Sequence, residues 1–299
     1  MTQPLFHGVI PPVPTIFDAH GKFDPIGMGR LLDHLIDSGV NGVLVLGSAG
    51  EFHHMDRAMR EEIAAFAVKH VNGRVPVLFC VSMPGTQETI RYAQHAKEVG
   101  ADAVLIVNPY YAPLSQDALY QHYKQIAASV DLPQMLYNYP AMTGQELEVE
   151  LIQKLAFECP NIVGIKDSVV SVSHTRQIIV DVKYQRPDFM VFCGFDEHLL
   201  NTLALGGDGA IPACSNFAPH ILCGLYQAFR KNDYATAMAF HRQIGKLASI
   251  YSIDTPFYGV IKEAIRQSGV DISTAVLPPS RPLSEAGQQK VAELLARIA

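Results

Sequence analysis

The sequence predicts an α/β fold: a (β/α)8 TIM barrel with a C-terminal helical extension. Three observations carry this expectation. Eight short β-rich runs alternate with amphipathic helical segments along most of the 299-residue chain. The first run is not followed by the Gly-rich fingerprint that usually opens a doubly wound open sheet. After about Pro219 the alternation stops, and only helical patterns remain.

The strand candidates are short, rich in Val, Ile, Leu and aromatic residues, and bounded by Gly, Pro, Asn or Asp. In order they are "GVIPPVPTIF" from Gly8, "GVLVLG" from Gly42, "VPVLFCV" from Val75 and "AVLIVN" from Ala103. "QMLYN" from Gln134, "IVGIK" from Ile162, "FMVFCG" from Phe189 and "GAIPA" from Gly209 complete the set. Helical spacing fills the intervals. In "GMGRLLDHLIDSG", Leu31, Leu32, Leu35 and Ile36 share a face; "DRAMREEIAAFAVKHV" and "QETIRYAQHAKEVG" behave alike. The expected division is a barrel over residues 1–224, carrying the active site, and a helical region over 225–299 packed on it.

Composition narrows the function. With 48% hydrophobic residues a sizeable core can be buried. A net charge of −6 without a basic run argues against nucleic acid and acidic membranes as partners. No apolar run is long enough for a membrane span, and the opening residues lack a signal-peptide pattern. The five cysteines are scattered and form no CxxC, which suits reduced, buried thiols in a cytoplasm.

In a parallel barrel the chemistry sits at the C-terminal ends of the strands. Lys166 ends the sixth run, "NIVGIKDS". Strand alternation places Ile162, Gly164 and Lys166 on one face and Val163 and Ile165 on the other. If that second pair faces the helices, Lys166 points into the barrel mouth with Gly164 leaving room beneath it. An amine there loses solvation, its pKa falls, and it becomes a nucleophile toward a carbonyl. From spacing alone a solvated strand-end lysine fits equally well. Lys69, Lys97 and Lys262 lie on amphipathic helices and read as solvated. Tyr137 ends the neighbouring run, where it is either a proton shuttle or a core aromatic. The turn "GSAGE" offers the Ser48 hydroxyl and backbone N–H groups to a carboxylate, a weak signal by itself. His53 and His54 stand outside any HExxH, HxH or Cys/His spacing, so no metal is expected.

Taken in order, "GSAGE", "VNPYY", "LYNYP", "GIKDS" and "GGDGAI" resemble the dihydrodipicolinate synthase / N-acetylneuraminate lyase family of pyruvate-dependent class I aldolases. The resemblance covers essentially the whole chain. It implies Lys166 as the Schiff-base residue, Tyr137 as the proton shuttle, and Ser48 and Ala49 as the pyruvate carboxylate site. It implies a homotetramer, a dimer of dimers, in which Tyr111 reaches a neighbouring subunit's site. Ser168, Gly194, Asp196, Glu197 and Ile211 fall at positions that line the substrate pocket. No metal or organic cofactor is implied.

Two departures separate the chain from the lysine-pathway synthases. Met142 stands where they commonly carry an arginine, and Ala49 replaces the second threonine of their "GTTGE" turn. "GFDEHL" resembles the lyase segment whose acidic groups bind sugar hydroxyls, yet Ala213 replaces the serine usual in lyases. "YNYPAMTGQ" with "GIKDS" looks most like the 2-keto-3-deoxygluconate aldolase branch. The resemblance thus implies a 2-keto-3-deoxy sugar acid cleaved to pyruvate and an aldehyde such as glyceraldehyde. The synthase, N-acetylneuraminate lyase and keto-deoxy-acid dehydratase reactions are alternatives through the same imine. A metal-dependent barrel hydrolase and a non-catalytic sugar-acid-binding protein are alternatives of other classes.

Overall fold

The computed structural model describes residues 5–298. Its eight strands are β1 (Gly8–Val9), β2 (Val43–Val45), β3 (Val77–Cys80), β4 (Ala103–Val107), β5 (Gln134–Asn138), β6 (Ile162–Asp167), β7 (Met190–Cys193) and β8 (Gly209–Ala210). All pair in parallel, in the order β1-β8-β7-β6-β5-β4-β3-β2. A parallel bridge between Pro12 and Leu44 joins the two ends of the curled sheet. The first run is thus far shorter as a strand than its ten residues suggest. Pro11, Pro12 and Pro14 donate no ladder hydrogen bond, so the chain touches β2 through single contacts such as Val13 N–H to the Leu44 carbonyl at 2.8 Å.

The helices begin where local chemistry starts them. Asp24 accepts from the N–H groups of Ile26 and Gly27 and precedes Pro25 at the first helical position of Pro25–Asp37. Asp56 caps Arg57–Val71 through Met59 N–H at 2.9 Å. Ser115 and Ser284 cap Gln116–Ser129 and Glu285–Ala296 in the same way. His53 and His54 lie in a short 3-10 turn, Phe52–His54, ahead of the second helix. The helices between the strands lay apolar stripes on a sheet whose strands are buried along nearly their whole length, giving one continuous core.

Beyond β8 the described chain is helical. The segments are Pro219–Arg230, Tyr234–Leu247, Tyr258–Gln267 and Glu285–Ala296, with a 3-10 turn at Ala248–Ser252. The expected boundary at 224/225 falls inside the first of these helices. That helix packs on β1 and on the turn after β8, so barrel and extension are continuous here.

Lys262 corrects the solvated reading of its helix. It is fully buried and donates to Glu51 Oε1 at 2.6 Å and to the Ala275 carbonyl at 2.7 Å. The second Glu51 oxygen accepts from Leu277 N–H at 2.9 Å. This pair ties the turn after β2 to the C-terminal region. Removing one partner of a buried pair strands the other charge, at a cost of about 3–5 kcal/mol. Glu51→Ala should therefore lower the unfolding free energy by about that amount in urea titration. A loss under about 1 kcal/mol, the scale of a surface pair, would show that the interaction does not hold the two regions together.

Candidate active site

The strand ends converge on a cavity of about 530 Å³, a size that suits a small organic ligand. Ser48, Ala49, Tyr137, Lys166, Ser168, Gly194, Glu197 and Ile211 all line it.

Lys166 is reached by strict alternation along β6. Val163 is only partly buried, on the helix side, whereas the Lys166 side chain turns inward and is 4% exposed. Its Nζ stands 4.3 Å from the centre of the Tyr137 ring. Burial lowers its pKa to about 8, with weaker opposing pulls from Cys80, Asp196 and Cys193. Gly164 serves a different purpose from the one expected. A Cβ there would lie 2.5 Å from the Met190 carbonyl oxygen, so this glycine admits β7 rather than the lysine.

The residue beside Lys166 faces the other way. Asp167 is fully buried and accepts from Asn138 Nδ2 at 2.8 Å and from Thr175 Oγ1 at 2.6 Å. His174 Nδ1 lies 3.1 Å from both of its oxygens. Ser168 returns to the cavity side, held by its N–H to the Asn138 carbonyl at 2.8 Å. Gly194 must be a glycine for Ser168 to sit there, since a Cβ would come within 1.7 Å of Ser168 Oγ. The sequence Lys-Asp-Ser at the end of β6 thus alternates cavity, rear and cavity.

Tyr137 is 1% exposed, and its hydroxyl is 3.5 Å from Ser48 Oγ. Burial pushes its pKa well up, against the pull of hydrogen bonds from Ser48 and Ser168. The phenol therefore stays protonated and both donates and accepts. Tyr139 stacks on it with ring centres 5.8 Å apart. Ser48–Gly50 forms a tight 3-10 turn, and its Gly50 carbonyl accepts from Thr15 Oγ1 at 2.8 Å. The turn is bracketed by left-handed Leu46 and Glu51, both at φ 59°. Such residues cost on the order of 1–3 kcal/mol each, which the packing around the turn must offset. The leading N–H groups of a helical turn find no partner within it, so Ser48 and Ala49 offer donors to an anion.

Two expected residues are elsewhere. Asp196 does not face the cavity. It opens a 3-10 turn past the end of β7, where strand alternation no longer applies, and its carboxylate is fully buried. It accepts from Cys214 N–H at 3.0 Å and from the Tyr251 hydroxyl, and burial raises its pKa to about 6. Only its neighbour Glu197 lines the cavity. Tyr111 is 99% exposed with φ 82° and lies outside the cavity wall of its own chain.

The extension contributes wall residues that the sequence reading missed: Tyr251, Asp254, Thr255, Phe257 and Tyr258. They run from the 3-10 turn Ala248–Ser252 through irregular chain to the first residue of the helix Tyr258–Gln267, so no single periodicity signals a face. Met142 and Ala213 also line the cavity, as does His198. Among the lining residues, Lys166 and His198 are the only basic side chains, and no arginine is present. Among the described residues no group of three or more His, Cys, Asp or Glu side chains is placed to hold a metal ion.

Known proteins resemble this chain along almost its whole length. A sequence model of the dihydrodipicolinate synthetase family matches residues 5–298. The chain is 47% identical to the Escherichia coli K12 protein named "Putative 2-dehydro-3-deoxy-D-gluconate aldolase YagE", over 98% of this chain and 97% of that one. It is also 47% identical to "Probable 2-dehydro-3-deoxy-D-pentonate aldolase YjhH" of the same organism, over 97% of this chain and 96% of that one. The crystal structure of YagE in complex with pyruvate superposes with a TM-score of 0.97, covering 98% of this chain and 99% of that one. Dihydrodipicolinate synthase from Aquifex aeolicus, 32% identical, superposes with a TM-score of 0.92 over 98% of each chain. The chain belongs to the dihydrodipicolinate synthetase family, and it is a lyase.

Proposed function

We propose that the protein is a class I aldolase that cleaves, or forms, 2-keto-3-deoxy sugar acids such as 2-keto-3-deoxygluconate, with pyruvate and an aldehyde such as glyceraldehyde as the partners. The observation that carries this reading is a desolvated amine, Lys166, set over Tyr137 in a cavity whose other wall groups are hydroxyl, carboxyl, histidyl and apolar. The names of the two Escherichia coli relatives, and the pyruvate in the YagE crystal structure, support the same substrate class.

In this reading Lys166 Nζ attacks the C2 carbonyl, and the carbonyl oxygen departs as water. The resulting protonated imine is an electron sink, so no cofactor is needed. The C4 hydroxyl gives its proton to the Tyr137 oxygen. Because that phenol is held protonated, it relays its own proton onward, with Ser48 Oγ as the near neighbour. The C3–C4 bond breaks and its electron pair forms the enamine, while the aldehyde leaves. Protonation of C3 and hydrolysis of the imine release pyruvate and free Lys166. Ser48 and Ala49 hold the substrate carboxylate, with Ser168, Gly194 and Ile211 around the reacting carbons. Glu197 accepts from distal hydroxyls. The reading includes a cytoplasmic homotetramer, a dimer of dimers, in which Tyr111 completes a neighbour's site; the full exposure of Tyr111 supports this role.

Wall chemistry selects the aldehyde. Met142 supplies no charge for a second carboxylate, and Glu197 and Asp254 oppose one. Pyruvate should condense with glyceraldehyde faster than with aspartate semialdehyde by more than about tenfold in kcat/KM, a factor worth about 1.4 kcal/mol. The check is a side-by-side condensation assay. A preference for aspartate semialdehyde would restore the synthase reading.

The state of Lys166 gives a pH prediction. The neutral amine is the nucleophile, and burial lets it form near pH 8 rather than near the ordinary lysine value of 10.5. The ascending limb of kcat/KM for condensation should have its midpoint near about 8. An ascending limb that continues to about 10 would mean a solvated lysine.

A further inference from the structure

His174 lies behind the sheet, 9% exposed, in the helix that follows β6. Both of its ring nitrogens meet groups that only accept. Nδ1 is 3.1 Å from each oxygen of Asp167, and Nε2 is 3.0 Å from the Leu147 carbonyl. A neutral imidazole has one N–H and one lone pair, so it can satisfy one of these partners and must turn a lone pair on the other. Only the doubly protonated ring donates to both.

The surroundings fix the other half of the pair. Asp167 receives donors on both oxygens: the Asn138 amide and His174 on Oδ1, and the Thr175 hydroxyl and His174 on Oδ2. Asn138 is oriented in turn, because its Oδ1 accepts from Leu147 N–H at 3.0 Å. The Asn138 amide and the Thr175 hydroxyl thus both donate to Asp167, one to each oxygen. The charged and titratable groups that act on the ring are Asp167 from β6 and Glu146 from the segment between β5 and the helix Val149–Glu158, and both favour its protonated form.

We propose that His174 is a positioning residue held as an imidazolium, which clamps Asp167 and Leu147 and thereby fixes Lys166 over Tyr137. Asp167 is the next residue after Lys166, and Asn138 is the next after Tyr137, so one polar cluster grips both strand ends from the rear. Leu147 lies in the segment that follows the short helix Pro140–Thr143, whose Met142 lines the cavity wall, so the same cation also anchors that wall. The inference rests on the aldolase reading for the role of Lys166, and on hydrogen-bond geometry for the charge of His174.

The clamp has a pH sense. Its ion pair raises the His174 pKa above the ordinary value of 6.5, against the opposing effect of burial. A raised folded-state value means that the stabilisation is complete below about 6.5 and is lost as pH rises through the folded value. Loss of the proton leaves either Asp167 or the Leu147 carbonyl facing a lone pair, and the strand ends loosen. Turnover then falls on the alkaline side.

Two measurements test this. Neutron diffraction from perdeuterated crystals of the intact protein at pH 7 should show deuterium on both nitrogens of His174; one bare nitrogen overturns the proposal, and no variant is needed. In kinetics, His174→Gln should lower kcat by about ten- to a hundredfold, the scale of a small misplacement of reacting groups. It should change KM little and lack the alkaline fall that the clamp predicts for the wild type. A His174→Gln enzyme with wild-type kcat and an unaltered alkaline limb overturns the clamp. A wild type that turns over no keto-deoxy sugar acid overturns the aldolase reading instead, and leaves the neutron result to decide the charge.

Discussion

The structure turns on the cost of burying one amine. Lys166 sits at the end of β6 with almost no contact with water, and the pull of the Asp196 carboxylate on it is weaker than the effect of burial. Charge is expensive there, so the amine shifts toward its neutral form, which makes it a nucleophile. Lys262 is an instructive contrast. Burial lowers its pKa to a similar degree, yet it is paired with Glu51 and does not line the cavity that Lys166 lines. A depressed pKa becomes chemistry only where the amine also has room and access.

The surroundings of Lys166 work as front and rear supports. At the front, the Ser48–Gly50 turn is held between two left-handed residues and pinned through Glu51 to Lys262, Leu277 and the C-terminal helices. At the rear, Asp167 joins β6 to Asn138 of β5 and to the following helix. Gly164 and Gly194 allow the close approaches that bring β7 and Ser168 into place. The C-terminal extension belongs to the same arrangement, because it supplies both the cation for Glu51 and part of the cavity wall.

Much of this was legible from residues alone. β5 matches its expected bounds, and β6 extends its expected run by Asp167, because strands buried on both faces are unbroken apolar runs between turn signals. Alternation along β6 placed Lys166, and the strand-end rule for parallel barrels gathered Ser48, Tyr137, Ser168 and Gly194 around it. Reading failed where alternation ends or where partners are distant in sequence. Asp196 lies just past β7, in a turn whose geometry no period describes. Lys262 looks like any lysine on an amphipathic helix, and its partner Glu51 is 211 residues away. β1 shrank because prolines removed its donors, an effect visible in the sequence but outweighed in reading by its apolar character.

The central claim is that Lys166, and not another buried lysine, carries the imine. Pyruvate with borohydride, followed by peptide mapping, measures this most directly. The account predicts one reduced pyruvate adduct per chain, on Lys166, and none in Lys166→Ala. An adduct on Lys262 or any other lysine, or no adduct at all, would contradict it.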